Sequence, residues 1–321
     1  MNDSIVIVSN LTHDYAERRA LDNVSLAIAK NEIFGFLGPN GGGKTTMFKI
    51  LSTAIMPTSG RAEVCGYDVV ERSSEVRRHI GVVFQSPSLD VKLTVRENLR
   101  FHGLLHGLHG TTASQRIDDV LIHLKLVDRA HDTVEMLSGG LQRRVEIGKG
   151  LLHRPDVLIL DEPSTGLDPG ARRDLWDYLL QLRKESGVTI VVTSHILDEA
   201  EHCDRLAILD KGKLVAIGTP DKLKREVGGE VISIVAKDPA EVRILLKRKF
   251  KLASTIVENT IRVEKNNGHQ FVPKIVEAFP GKIEAISVGK PTLEDVFIHH
   301  TGHRMRNEES SRVDTQQRGV R

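Results

Sequence analysis

The sequence predicts an α/β fold, a mostly parallel sheet flanked by helices, followed by a small α+β domain. Three observations carry this reading. Short apolar runs at 33–37, 157–160 and 190–192 have the length and density of strands buried on both faces. Segments of helical periodicity separate them, and a strand, a glycine-rich loop and a helix follow one another across 33–55. Beyond Gly228-Gly229 the pattern becomes strand, helix, strand, strand, helix, strand.

At roughly 150 residues per domain, 321 residues predict two domains. Apolar residues at 40% and charged residues at 27% exclude a collagen-like, coiled-coil or disordered chain as a description of the whole. A net charge of +2 gives no electrostatic footprint for nucleic acid, so no nucleic-acid partner is expected. Cys65 and Cys203 form no CxxC pair and no disulfide framework, which fits a reducing compartment. The amino terminus lacks the basic and apolar regions of a signal peptide. No run approaches the roughly 18 apolar residues of a membrane span, so any work at a membrane needs another chain to cross it.

In chain order, 5–28 reads as extended segments with the alternation of a half-buried strand around Val24, Leu26 and Ile28. A helix runs from Lys44 towards Ile55, with Met47, Ile50, Leu51 and Ala54 on one stripe. A strand at 81–84 leads into Gln85. Residues 94–150 are mostly helical and open on a Thr94-Val95-Arg96-Glu97 capping-box pattern. Strands follow at 157–161, 188–194 and 206–210. These elements make a first domain over 4–227, with a helical subdomain at about 86–150. A second domain over 230–302 has the βαββαβ order of a ferredoxin-like fold. Residues 304–321 are polar and Arg-rich, and are expected to be a disordered tail.

Gly38-Pro39-Asn40-Gly41-Gly42-Gly43-Lys44-Thr45 fits G-x-x-x-x-G-K-[ST], with Thr46 following. Glycines let the backbone wrap so that several N–H groups point at one triphosphate. Lys44 supplies a point charge to the β- and γ-phosphates, and the Thr45 hydroxyl is a hard oxygen ligand for Mg²⁺. The helix that starts at Lys44 aims its positive end at the same anions. A flexible glycine turn is the bland alternative, and its position between strand and helix argues against it.

The strand at 157–161 ends in Asp161 and Glu162. Strand alternation predicts opposite faces for the two carboxylates. Asp161 is then the candidate for Mg²⁺, through a water, and Glu162 for polarising the attacking water. A solvated pair after a strand is the alternative, weakened by the phosphate loop upstream.

Loop and acidic end together indicate a P-loop nucleoside triphosphatase. Leu137-Ser138-Gly139-Gly140-Leu141-Gln142 lies about twenty residues before Asp161, and with it the sequence resembles the ATP-binding cassette (ABC) family across about residues 4–225. Gln85 sits at the Q-loop glutamine of that family. Ser164-Thr165-Gly166-Leu167-Asp168 resembles its D-loop, Thr193-Ser194-His195 its switch histidine, and Tyr15 its adenine-stacking aromatic residue. The signature commonly reads LSGGQ, whereas Leu141 stands fifth here; the resemblance to exporter ATPases of the daunorubicin-resistance type, which often have an apolar residue at that position, accounts for it.

The resemblance implies ATP and Mg²⁺ as ligands, with hydrolysis of ATP to ADP and phosphate. Glu162, His195, Gln85 and Lys44 become the catalytic set, and Thr45, Gln85 and Asp161 the metal set. Tyr15, residues 38–46, Ser138, Gly139, Gly140 and Asp168 become the nucleotide contacts. It also implies two cassettes sandwiching two nucleotides head to tail, each lending its signature helix to the other's γ-phosphate. A separate transmembrane permease completes the machine, so the chain is expected at the cytoplasmic face of the membrane, driving export of a drug, lipid or polysaccharide-like cargo. An importer ATPase is the first alternative. A soluble cassette ATPase is the second, disfavoured by the short 46–136 segment and the single cassette. The stretch 291–302 resembles the close of the same exporters' accessory domain.

His102, His106 and His109 share one helical face but gain no carboxylate or cysteine, so a metal there is disfavoured. Cys65 and Cys203 read as core or half-buried thiols.

Overall fold

The computed structural model describes residues 4–305, and the tail expected at 304–321 lies almost wholly outside them. The chain divides into two compact units, Met1–Leu214 and Val215–Arg321.

The first unit opens on β1 (Ser4–Tyr15) and β2 (Arg18–Ala29), an antiparallel pair, then β3 (Ile33–Leu37) and α1 (Lys44–Leu51). The expected helix thus stops four residues short of Ile55. Next come β4 (Ser59–Val64), β5 (Tyr67–Asp68), α2 (Ser73–His79) and β6 (Ile80–Val83). The helical stretch resolves into α3 (Val95–Leu105), α4 (Gly110–Leu124) and α5 (Gly139–Leu151). Then follow β7 (Val157–Asp161), α6 (Pro169–Ser186), β8 (Thr189–Ser194), α7 (Leu197–Ala200) and β9 (Arg205–Asp210), and β10 (Lys213–Gly218) runs across the boundary at Leu214.

Two sheets result. One is a four-stranded sheet in the order β2-β1-β4-β5, antiparallel throughout. The other is six-stranded, in the order β10-β9-β3-β8-β7-β6. From β9 through β6 its strands pair in parallel. β3, β7 and β8 are buried at every position, as near-continuous apolar strands covered on both faces must be. β3 and β7 flank β8, so the ends of all three, at Leu37, Asp161 and Ser194, meet at one edge. Open parallel sheets bind ligands at this carboxyl edge.

The helices after Gln85 pack on that sheet through a core that joins Val95, Leu99, Ile117 and Leu121 to Val145, Leu158 and Leu160. The Thr94/Glu97 capping box forms as its sequence predicts.

In the second unit, α8 (Pro220–Glu226) precedes β11 (Glu230–Ala236), α9 (Pro239–Phe250), β12 (Thr255–Val257), β13 (Thr260–Lys265), α10 (Val272–Ala278) and β14 (Ile283–Gly289), and α11 (Leu293–Thr301) follows. The sheet order β12-β13-β11-β14 is antiparallel at every pairing. Ile232, Ile234, Val242, Leu246, Ile261, Val263 and Ile275 fill the core between this sheet and its helices.

Candidate functional site

The glycine loop is shaped by how closely other backbone approaches it. A Cβ on Gly38 would stand 2.1 Å from the Leu209 carbonyl oxygen, which no side chain tolerates. Gly43 caps α1 at φ +112°, and a Cβ there would lie 2.8 Å from the Ala20 carbonyl oxygen. Gly42 accepts a hydrogen bond from Gly212 N at 3.0 Å, and Arg18 Nη2 donates to Gly41 O at 2.8 Å. The loop is therefore clamped from both sides.

Lys44 is 3% exposed and turns back into this loop, donating from Nζ to Gly38 O at 2.8 Å and Pro39 O at 3.1 Å. Its Nζ also lies 3.7 Å from Glu162 Oε1. Burial lowers the affinity of Lys44 for its proton, and Glu162 and Asp161 oppose that shift. Around it, Tyr15, Arg18, Ala20, Asn40, Gly41, Gly43, Thr45, Thr46 and Glu162 line a cleft of about 150 Å³. Tyr15 is 43% exposed at the rim, its ring edge-on to His13 at 4.4 Å.

Glu162 is the hub of the arrangement. Gln85 Nε2 and Thr165 Oγ1 donate to its Oε2 at 3.3 and 3.2 Å, and His195 Nδ1 lies 3.1 Å from its Oε1. Burial alone would raise the carboxyl's pKa, but His195 and Lys44 hold it below its ordinary value. Reciprocally, contact with Glu162 raises that of His195.

Strand alternation misplaces one detail. Glu162 is not the next residue of an extended strand: it takes φ +43°, so a left-handed turn, not the pleat, parts it from Asp161. Both carboxylates are buried. Asp161 Oδ1 accepts from Thr193 Oγ1 at 2.6 Å, and the same hydroxyl accepts from Glu162 N at 2.9 Å. Burial raises the Asp161 pKa, and the Thr193 hydrogen bond opposes the rise.

Ser138, Gly139, Gly140 and Asp168 line no part of the Lys44 cleft. Ser138 caps α5, its Oγ accepting from Leu141 N at 3.4 Å. Ser138 and Gly139 are exposed and Gly140 is half-buried, so the start of α5, whose first N–H groups no helix satisfies internally, lies at the surface. Asp168 is exposed and caps α6, accepting from Gly170 N and Ala171 N at 2.9 Å.

Three supports escape sequence reasoning. Arg143, 7% exposed, donates to the carbonyls of Phe84, Asp161 and Pro163 at 2.8, 3.1 and 2.9 Å, and to Glu146 Oε2 at 2.6 Å. It thus ties α5 to the segment carrying Gln85 and to the acidic strand end. Buried Glu199 binds the hydroxyls of Ser164 and Ser194, linking the chain after Glu162 to the one before His195. Thr165 is the third, and lies inside a stretch singled out for Asp168. An arginine at the fifth position of an amphipathic helix carries no local mark of being buried. The histidine cluster also differs from expectation: His106 stacks on His153 at 4.0 Å and neighbours His102 at 5.0 Å, while His109 stands outside the stack.

Comparison with known proteins adds five findings. A family model described as "ABC transporter" matches residues 21–165, and one described as "ATP-binding protein DrrA1-3-like, C-terminal domain" matches 218–301. The chain is 36% identical to the daunorubicin resistance ATP-binding protein DrrA3 of Streptomyces coeruleorubidus, over 97% of this chain and all of that protein. It is 34% identical to the linearmycin resistance ATP-binding protein LnrL of Bacillus subtilis (strain 168), over 93% of this chain and 98% of that one. Among solved structures, the dimeric post-hydrolysis state of the ATP-binding cassette MJ0796, bound to ADP and Pi, superposes with a TM-score of 0.59 at 29% identity, covering 67% of this chain and 98% of that one.

Proposed function

The chain belongs to the ABC transporter family as an ATP-hydrolysing subunit, and on that premise we propose that it powers export through a separate membrane permease. The observation that carries the catalytic reading is the convergence of Lys44, Gln85, Thr165 and His195 on the Glu162 carboxylate, beside the glycine loop.

Each residue then has a task. The backbone of residues 38–46 and the Lys44 ammonium receive the β- and γ-phosphates of ATP, while Tyr15 at the rim stacks on adenine, worth roughly 1–3 kcal/mol as base stacking is elsewhere. Lys44 exchanges the carbonyls of Gly38 and Pro39 for phosphate oxygens, so its charge is pre-positioned. Glu162, kept ionised by His195 and Lys44, accepts a proton from the attacking water. His195 orients that carboxylate and holds the γ-phosphate, and Gln85 reports occupancy to the helices that follow it.

The hydroxyl of Thr45, the amide oxygen of Gln85 and the carboxylate of Asp161 are hard oxygen donors that suit Mg²⁺, and the buried Asp161 is held in place by Thr193. Mg²⁺ there would neutralise charge on the β- and γ-phosphates.

Ser138, Gly139 and Gly140 act on the γ-phosphate held by a second copy of the chain. Their exposed helix start is an anion-binding terminus that lines no part of its own subunit's Lys44 cleft. Two copies therefore close around two nucleotides, Asp168 lies at their interface, and hydrolysis releases them. No helix among the described residues is long and apolar enough to cross a membrane. The likeness to ATP-binding proteins of resistance transporters supports a separate permease and a peripheral place at the membrane's cytoplasmic face. The resistance functions that DrrA3 and LnrL are named for favour a drug-like export cargo over import.

Gentle detergent co-purification from the native cell tests this. A multi-span membrane protein should accompany the chain in stoichiometric amount. Recovery with ribosomes or DNA, or with a solute-binding import system, would overturn the export reading.

A further inference from the structure

Away from the carboxyl edge of the parallel sheet, three chain segments bring unlike metal-ligating groups together. His79 ends α2 and Asp156 immediately precedes β7. They are neighbours because β6 and β7 pair in parallel with Ile80 opposite Val157. The backbone fixes this further, as Asp156 N donates to His79 O at 2.9 Å. Cys65 comes from a different sheet, at the turn between β4 and β5, where its N donates to Ile5 O at 2.7 Å. One ligand atom from each of Cys65, His79 and Asp156 lies within 4.8 Å of the other two.

We propose that Cys65, His79 and Asp156 form a binding site for a thiophilic divalent cation, with Zn²⁺ the best match. The donor set is one sulfur, one imidazole nitrogen and one carboxylate oxygen, the mixture that Zn²⁺ accepts and that Mg²⁺ and Ca²⁺ do not. Thiolate and carboxylate together carry two negative charges, which balance the ion. Zinc–ligand distances of about 2.0–2.3 Å put tetrahedral donors some 3–4 Å apart, so the atoms need to shift only slightly. His79 Nδ1 and Asp156 Oδ2, now 2.6 Å apart, would open to admit the ion between them. Three protein ligands leave a fourth position for water.

The surroundings favour a fixed site. The Tyr67 ring stacks on His79 at 5.3 Å, and the Arg72 guanidinium in turn lies over the Tyr67 ring, 4.4 Å from its centroid. Cys65 takes φ +54° and Gly66 φ +77°, the two left-handed residues of a tight hairpin turn in which Asn-Gly is the favoured pair. Burial, and then Asp156, push the thiol up to about 12, while Lys30 opposes the shift. Binding therefore expels the thiol proton to solvent and weakens as the pH falls.

Cobalt is the probe, added to the full-length chain without nucleotide or Mg²⁺. The sequence holds two cysteines, so a thiolate-to-cobalt charge-transfer band must come from Cys65 or Cys203. The proposal expects such a band saturating at one equivalent, displaced by Zn²⁺, abolished in Cys65→Ser and retained in Cys203→Ser. His79→Ala and Asp156→Asn should each weaken cobalt affinity at least tenfold. Zn²⁺ should raise the Tm of the unmodified chain and leave that of Cys65→Ser unmoved. Absence of the band in the unmodified chain, its survival in Cys65→Ser, or equal affinity in His79→Ala would overturn the site and leave an ordinary His79–Asp156 ion pair beside an uninvolved thiol.

Discussion

His195 Nδ1 lies 3.1 Å from Glu162 Oε1, although 33 positions of chain and the whole of α6 separate the two residues. Parallel pairing of β7 with β8 delivers both to one edge, and each shifts the other's protonation towards its charged form. The contact leaves Glu162 ionised and oriented, the state that a general base for water requires.

Removing that base while keeping its shape should separate binding from chemistry. Glu162→Gln is expected to bind ATP with unchanged affinity and to lose about 10²–10⁴-fold in kcat, the range of general-base contributions. Calorimetry and steady-state phosphate release measure the two quantities. A loss of ATP affinity with kcat preserved would contradict the assigned role.

The same pair predicts a pH window. The His195 pKa is raised, so its contribution to stability is full below the ordinary imidazole value of 6.5 and is lost as pH rises through the raised value. That of Glu162 is lowered, so its contribution is full above the ordinary 4.5 and is lost as pH falls through the depressed value. Glu199 supports the charged imidazole and Lys44 opposes it. The stability difference between the unmodified chain and His195→Ala should therefore peak between 4.5 and 6.5 and shrink on either side. Denaturation midpoints across pH provide the measurement, and a difference that grows from pH 7 to pH 9 would count against the coupling.

Arg143 offers a prediction about architecture. Its guanidinium is buried against Glu146 and three carbonyls, so truncation strips a buried carboxylate of its counter-charge, leaving it only the Ser88 N–H, and takes one donor from each carbonyl. Arg143→Met is expected to cost about 3–5 kcal/mol, the loss typical of breaking a buried pair from one side. The double variant Arg143→Met/Glu146→Leu should cost less than the single one, because the stranded charge is gone. Equal losses in urea titrations would mean that the carbonyl contacts, not the ion pair, carry the effect.

Much of this was legible in residues 33–46 and 157–162, where buried strands, glycines and charges follow one another within a few positions. Local chemistry fixes such elements, so a local reading finds them. What escaped depends on distant chain. Strand β4 is half exposed along its length and pairs with β1 some fifty residues away, so neither buried-run nor periodicity signals reach it. Arg143 resembles any helix-surface arginine until β7 and the Gln85 segment pack around it. Pleat alternation puts Glu162 on the face opposite Asp161, whereas a left-handed turn, rare for this residue type, orients it. His109 shows the reverse error: sequence spacing on one face predicts neighbours only while the helix continues, and α3 ends at Leu105.

The sandwich of two copies is the claim on which the transport cycle depends, and its outward-facing half is Ser138 at the start of α5. Sedimentation velocity of Glu162→Gln with ATP and Mg²⁺, run beside Glu162→Gln/Ser138→Arg, tests it most directly. The account predicts a dimer for the single variant and a monomer for the double one, with ATP bound equally by both. A monomer in both samples, or dimers of equal strength, would contradict it.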